Sequence, residues 1–129
     1  MKILIYGLSG SGKSTLAHKL ADNMILPIIN GDNVREKYKD WDFSIAGRKD
    51  QAERMYKLAD EHDVCIVDFI CPFEEYQNKF DIKIFMDTVI SSQFKDTDSI
   101  FQRGNPDITI NTFHYNIHSL IDNIRNLLA

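Results

Sequence analysis

The segment Gly7–Thr15 constrains the fold of this chain more than any other stretch. It reads GLSGSGKST and matches G-x-x-x-x-G-K-[ST], a pattern whose glycines let backbone N–H groups turn toward phosphate oxygens. The apolar run Ile3–Tyr6 precedes it, and Lys13–Met24, which has helical spacing, follows it. This strand–loop–helix context predicts a phosphate-binding loop (P-loop) at the N-terminus of a helix. The alternative interpretation is a Gly/Ser-rich turn that binds no nucleotide.

The predicted nucleotide site consists of the residues of this loop. Lys13 brings a mobile positive charge to the β- and γ-phosphates, and the Ser14 hydroxyl is placed to ligate Mg²⁺. We therefore expect ATP and Mg²⁺ as ligands, with Lys13 taking part in phosphate transfer. The residues expected to bind the nucleotide are Gly7, Ser9, Gly10, Ser11, Gly12, Lys13, Ser14 and Thr15.

Length and composition favour one globular domain over residues 1–129. Hydrophobic residues make up 43% of the chain and charged residues 26%, as in ordinary globular proteins. The formal net charge of −4 gives no general attraction to nucleic acid or to an anionic membrane. No apolar run approaches the length of a membrane span, and the first one passes directly into the P-loop, unlike a signal peptide.

Two cysteines indicate the compartment. Cys65 and Cys71 lie on and just after a predicted strand, and no Cys/His pair stands at metal-ligand spacing beside them. We expect both to be buried free thiols, which fit a reducing cytosol. The predicted location is therefore cytoplasmic.

Short apolar runs alternate with helix-like segments along the chain. The expected strands cover residues 2–6, 26–30, 63–68, 82–86 and 107–111. The expected helices cover residues 13–24, about 48–62, 74–79 and a last segment whose apolar stripe begins at Phe113. Residues 89–106 have no persistent period and are predicted to form a flexible loop. The alternation predicts an α/β fold of the P-loop NTPase type, a three-layer α/β/α arrangement with a five-stranded parallel sheet.

Two aspartates follow predicted strands, at the edge where open α/β sheets place their active sites. Asp32 comes after the second strand, which favours a functional carboxylate, although an aspartate there would also suit a helix N-cap. Asp68 ends the third strand in a Walker-B-like pattern, and such an aspartate commonly holds the Mg²⁺ shell through water. Its alternative is a capping or loop role. Ser14 and Asp68 are thus the predicted metal-binding residues.

The chain resembles the adenylylsulfate kinase family in several segments that occur in the same order. Beside the P-loop these are Gly31–Arg35 (family D-G-D-N-x-R), Phe43-Ser44 followed by Arg48 (F-S-x-x-D-R), residues 69–73 (F-I-S-P-Y) and residues 105–108 (N-P-D-L). Enzymes of this family phosphorylate the 3′-hydroxyl of adenosine 5′-phosphosulfate (APS) with MgATP. The resemblance covers most of the chain, and Gly31–Arg35 is its most specific part.

The resemblance also implies which residues bind the acceptor. They are Asp32, Arg35, Phe43, Arg48, Ile70 and Phe94. The aspartate would accept the proton of the attacking ribose hydroxyl, and the two arginines would hold the 5′-phosphosulfate through their guanidinium forks. The two phenylalanines would stack on opposite faces of the acceptor adenine. The alternative for both phenylalanines is packing in a small satellite core.

The chain departs from the family pattern at several positions. Gly47 stands where the family has an aspartate before the arginine, and Cys71 replaces a serine before proline. Asp68 occupies a position where the family usually has a small residue, which favours a generic Walker-B kinase. The family's basic lid between the fourth strand and Phe94 is nearly absent, because only Val89–Gln93 remain there. We therefore expect a short form of the family in which water reaches the γ-phosphate more easily.

Three functions remain open at this point. The first is an APS kinase-like phosphotransferase, and the second is a P-loop kinase of another small nucleotide or a sugar-linked metabolite. The third is a degenerate nucleotide-binding protein with a regulatory role, which would be free to lose Asp32. The expected partners are a small-molecule nucleotide substrate and a second copy of the chain in a homodimer, with neither nucleic acid nor a membrane.

Overall fold

The computed structural model describes all 129 residues, and strands alternate with helices except that two helices follow the second strand. The strands are β1 (Lys2–Tyr6), β2 (Ile28–Asn30), β3 (Cys65–Asp68), β4 (Ile82–Met86) and β5 (Ile108–Ile110). The helices are α1 (Lys13–Met24), α2 (Gly31–Tyr38), α3 (Ile45–Ala59), α4 (Glu74–Gln77), α5 (Lys95–Ile100) and α6 (Ile117–Leu128).

The five strands form one parallel sheet in the order β2-β3-β1-β4-β5. β1 lies at the centre, paired with β3 on one side and with β4 on the other. A central parallel strand is covered on both faces, which is why Ile3–Tyr6 of β1 are all apolar rather than alternating. This confirms the predicted α/β fold with a five-stranded parallel sheet.

A hydrophobic core lies on each face of the sheet. Ile3 and Ile5 of β1 face the first core together with residues of α1 and α6, such as Leu16 and Ile124. Leu4 and Tyr6 face the second core, which is formed with α3 and a group of phenylalanines. Each fully buried large apolar side chain contributes about 1.5–3 kcal/mol, so β1 and α1 form a rigid support for the loop between them.

Several predicted boundaries differ from those observed. β2, β3 and β5 are each shorter than the predicted strands, and α3 begins at Ile45 and ends at Ala59 rather than covering residues 48–62. The hydroxyl of Ser44 accepts a hydrogen bond from the Gly47 N–H at 3.0 Å and so caps α3. The N-cap alternative for Asp32 is wrong, because the Asn30 side chain accepts the capping hydrogen bond of α2.

Two predictions in the C-terminal half are also wrong. Residues 89–106 are not wholly irregular, because they contain α5, which is too short to show a helical period in sequence. The Asp98 carboxylate holds the segment before α5, since it accepts a hydrogen bond from the Ser92 hydroxyl at 2.7 Å. Phe113 does not lie on the last helix, because Asn116 caps α6 and the helix begins at Ile117. The ring of Phe113 is therefore half exposed.

Both cysteines are buried free thiols, as predicted. Burial is the largest cause that raises the pKa of each thiol, so both are held in the neutral form. None of the helices combines the length and the apolar character needed to cross a membrane.

Candidate functional site

A cavity of about 580 Å³ opens at the carboxyl edge of the sheet. The P-loop, the ends of β2 and β3, the first turns of α2 and α3, and α5 all contribute to its walls. The predicted site residues that line it are Ser9, Gly10, Gly12, Lys13, Ser14, Thr15, Asp32, Arg35, Phe43, Arg48, Asp68, Ile70 and Phe94. Gly7 and Ser11 are buried behind this wall. One cavity thus brings together nearly all the predicted nucleotide and acceptor residues.

The P-loop backbone has the conformation that phosphate binding requires. Gly10 and Gly12 have φ angles of +82° and +94°, in the left-handed region that residues with a side chain rarely adopt. Gly12 is also the N-cap of α1, and no side chain caps this helix end. The first N–H groups of α1 are therefore free to bind an anion at the positive end of the helix dipole.

Lys13 is half-buried and lies against the loop. Its Nζ donates a hydrogen bond to the Leu8 carbonyl at 3.0 Å. Burial is the main influence on its pKa and lowers it from 10.5, while the carboxylates of Asp68 and Asp32 oppose this shift. The desolvated ammonium is therefore only partly compensated, and a phosphate group would supply the missing negative charge.

The two predicted metal-binding side chains are in contact. Ser14 Oγ donates a hydrogen bond to Asp68 Oδ2 at 2.9 Å, and Asn30 Nδ2 donates to the same oxygen at 2.9 Å. Asp68 is 1% exposed, and it stands opposite Asn30 in the register of β2 and β3. Alcohol and carboxylate oxygens are hard donors of the kind that Mg²⁺ prefers, so this pair fits the ion. No cluster of three or more His, Cys, Asp or Glu residues could hold a metal by itself.

Asp32 projects into the cavity from the first turn of α2. Its carboxylate is exposed, and it is close enough to the Lys13 ammonium to oppose the lowering of that group's pKa. Because Asn30 caps the helix, Asp32 is free to interact with a ligand.

The two arginines are buried and hold the loop that carries Phe43. Arg35 Nη1 donates to the carbonyl oxygens of Asp40 at 3.0 Å and Asp42 at 3.3 Å, and Arg48 Nε donates to the Phe43 carbonyl at 2.8 Å. Their guanidinium carbons lie 4.4 Å and 5.4 Å from the centre of the Phe43 ring. Burial lowers the pKa of Arg35, and the Asp40 carboxylate opposes this shift. The arginines therefore combine a structural function with a place on the cavity wall.

Both phenylalanines of the predicted aromatic pair are available to a ligand. Phe43 is 48% exposed and Phe94 is 46% exposed, and both line the cavity. Neither belongs to one of the two core clusters, so each ring has an exposed part that a ligand could contact.

Gly47 has a packing explanation. A Cβ placed there would overlap the main-chain carbonyl of Asp42 and lie 2.7 Å from one of its carboxylate oxygens. The loop before α3 therefore passes so close to the helix that a side chain at residue 47 would displace it. The aspartate found in the family pattern cannot be accommodated in this conformation.

Four further residues of the site escaped the sequence reasoning. Asn30 and Gln51 make buried polar contacts, the first to Asp68 and the second from Nε2 to the Gly31 carbonyl at 3.1 Å. Asp96 and Thr97 lie on α5, which the sequence did not reveal. Only Asn30 left a usable signal, as a polar residue at the end of an apolar strand.

Comparison with known proteins gives a consistent result. The family model for adenylylsulphate kinase matches residues 1–103. The adenylyl-sulfate kinase of Bacillus pumilus is 37% identical over 83 residues, which cover 57% of this chain and 42% of that enzyme. The adenylyl-sulfate kinase 3 of Arabidopsis thaliana is 34% identical over 102 residues, covering 65% of this chain and 49% of that enzyme. The matched region thus spans less than half the length of these relatives.

A solved structure of an APS kinase has the same fold as this chain. The structure of the Mycobacterium tuberculosis APS kinase in complex with AMPPNP and APS matches with a TM-score of 0.80 at 24% sequence identity. The match covers 98% of this chain and 96% of that one, so it extends over the C-terminal segment that the family model leaves out.

Proposed function

The chain belongs to the adenylylsulphate kinase family, and from this premise we propose that it transfers the γ-phosphate of ATP to the 3′-hydroxyl of APS. The observation that carries the proposal is a single cavity with two chemically distinct halves. By chemistry we divide the lining residues into two groups: the P-loop, called the donor half, and Asp32, Arg35, Phe43 and Arg48, called the acceptor half. A phosphoryl donor and an anionic nucleotide acceptor would therefore meet within one enclosed space.

The donor half accounts for ATP. The free N–H groups at the start of α1 and the Lys13 ammonium would bind the β- and γ-phosphates. Mg²⁺, when bound, would neutralise phosphate charge as it develops during transfer. Ser14 and Asp68 would hold it, with the remaining ligands coming from phosphate oxygens and water. Asn30 would keep the Asp68 carboxylate oriented through its 2.9 Å hydrogen bond.

Asp32 would act as the general base. The 3′-oxygen of the acceptor forms a bond to the γ-phosphorus as the bond from phosphorus to the bridging oxygen breaks, and ADP leaves with that electron pair. The proton of the attacking hydroxyl passes to the Asp32 carboxylate. The exposed position of this carboxylate in the cavity supports the role.

The acceptor half would recognise a base and an anion separately. Phe43 and Phe94 would stack on the acceptor adenine, with Ile70 adding an apolar contact. Arg35 and Arg48 would pair with the 5′-phosphosulfate through the guanidinium N–H groups that loop carbonyls leave free.

We also propose that residues 1–129 act as one domain, that two copies form a homodimer, and that the protein is cytoplasmic.

The test is a phosphorylation assay with mass detection. The protein is incubated with MgATP and, in separate reactions, with APS, adenosine 5′-phosphate, adenosine and a sugar-linked metabolite, and each acceptor is scored for a mass gain of one phosphoryl group. APS is expected to react fastest, and the Lys13→Ala variant to form product about 10²–10³-fold more slowly than the parent. Faster reaction of the sugar-linked acceptor would favour a different small-molecule kinase. Binding of MgATP without phosphorylation of any acceptor would favour a regulatory nucleotide-binding protein.

A further inference from the structure

Asp96 occupies part of the acceptor half of the cavity. It lies in the first turn of α5, and its Oδ2 is 3.1 Å from Arg48 Nη2. The two side chains differ in environment, since the Arg48 side chain is 7% exposed and that of Asp96 is 71% exposed. A fixed, buried cation is therefore paired with a carboxylate at the solvent edge.

The contact with Asp96 and a second contact with the Phe43 carbonyl together occupy one edge of the Arg48 guanidinium. Nε already donates to the Phe43 carbonyl at 2.8 Å, and Nη2 of the same edge donates to Asp96. A carboxylate, phosphate or sulfate binds arginine best through two adjacent N–H groups. An anionic ligand can therefore bind this edge of Arg48 only after Asp96 moves away, and while Asp96 stays it must bind the Nη1 side beside a second negative charge.

Asp96 is also the most easily displaced of the partners that hold these arginines. Arg35 donates to the main-chain carbonyls of Asp40 and Asp42, and Arg48 to that of Phe43, so these contacts move only if the loop moves. The Asp96 carboxylate can instead rotate into solvent, where it loses little because it is already mostly hydrated.

We propose that Asp96 is a specificity-determining residue that competes with the anionic 5′ group of the acceptor for Arg48. The inference rests on the proposed function, because it concerns the acceptor of that same site. The negative charge of Asp96 makes binding of an acceptor with a charged 5′ group weaker than the two arginines alone would allow. Binding of an acceptor with an uncharged 5′ group does not require the displacement.

The test is the Asp96→Asn variant, which keeps the shape of the side chain and removes its charge. An exposed ion pair changes an equilibrium constant by a factor of about 1.4 to 5. Removing the Asp96 charge also removes its repulsion of the bound anion, which should lower the dissociation constant further. We expect the KM and the dissociation constant for APS to fall about 3- to 10-fold, with the values for adenosine unchanged within about twofold. The MgATP affinity should stay at the parent value, and the melting temperature should fall only slightly, because one exposed ion pair is lost.

Three controls make the test specific. Asp122→Asn carries the same substitution on an exposed position of α6 outside the cavity and should change nothing. Asp96→Glu keeps the charge and should keep the parent's weaker APS binding. On an Arg48→Ala background, Asp96→Asn should no longer improve APS binding, because the group for which the two anions compete is gone.

The outcomes separate this inference from the proposed function. If the parent phosphorylates APS but Asp96→Asn leaves APS binding unchanged, weakens it, or improves adenosine binding equally, the inference is overturned and the proposed function stands. If neither the parent nor the variant binds or phosphorylates APS, both are overturned.

Discussion

Replacing Asp32 with asparagine should separate catalysis from folding in this cavity. The side chain is exposed, lies in the first turn of α2 and points to the space where the two substrates would meet. Asparagine keeps its size and removes only its ability to accept a proton. The 3.0 Å capping hydrogen bond of α2 belongs to Asn30 and is left intact.

The expected loss of stability is smaller than the expected increase in the activation barrier. The change should weaken two stabilising interactions of the carboxylate: that with the N-terminal end of the helix dipole, worth about 0.3–1 kcal/mol, and its attraction to the Lys13 ammonium, worth up to about 1 kcal/mol for an exposed group. The free energy of unfolding should therefore fall by no more than about 2 kcal/mol. Loss of a general base costs a factor of about 10²–10⁴ in rate, or about 3–5.5 kcal/mol in the barrier.

Both quantities are measured on the same preparation. Urea denaturation followed by circular dichroism gives the free energy of unfolding, and initial rates of phosphorylated acceptor give the turnover number at saturating MgATP. Asp122→Asn, on the exposed face of α6, is the matched control and should leave both at the parent values. Turnover per folded molecule equal to that of the parent would refute the assignment of Asp32 as the base.

Four further changes test other parts of the site. Lys13→Ala should reduce MgATP-dependent turnover about 10²–10³-fold, because it removes a preorganised charge at the γ-phosphate; parent-like initial rates would contradict the nucleotide site. Because burial holds the pKa of Lys13 below 10.5, its ammonium loses its proton at lower pH than that of an exposed lysine. As pH is raised, the MgATP affinity should therefore begin to fall at a lower pH than it would with an exposed lysine. The folded apo protein binds this proton less tightly than the unfolded chain, so its contribution to stability increases as pH rises from the folded to the unfolded pKa. Asp68→Asn, which removes the largest opposing charge, should move that loss of affinity to still lower pH; an unmoved titration would argue against the influence of the Asp68 charge on Lys13. Phe43→Ala should raise the acceptor KM by a factor of about 5–150, the worth of base stacking, and leave the MgATP dissociation constant unchanged; a lower melting temperature with an unchanged KM would contradict the stacking role. Gly47→Ala should lower the free energy of unfolding by about 1–3 kcal/mol in urea denaturation, because the new Cβ meets the Asp42 carbonyl, and no loss would mean that the loop can yield.

Local patterns were enough to determine much of the fold. The bounds of β1, α1 and β4 agree with the prediction residue for residue, because each contains a short apolar run or an apolar stripe with glycine or a polar residue next to at least one end. The P-loop was equally readable, since its glycines and Lys13 act within one continuous stretch. Alternation of strands and helices then implied a parallel sheet, because successive parallel strands need crossover connections.

The tertiary structure alone decided how distant segments meet. The strand order places β2 beside β3, so Asn30 and Asp68 become register partners 38 residues apart and share the carboxylate oxygen that also contacts Ser14. Asp96 contacts Arg48 although 48 residues of chain separate them, and it lies on a helix too short to show a period in the sequence. Such contacts depend on strand order, register and close packing of loops, and none of these is encoded in the spacing of neighbouring residues. The sequence by itself therefore indicated the residues that we propose carry the chemistry, and only the folded chain decided which of them stand opposite one another.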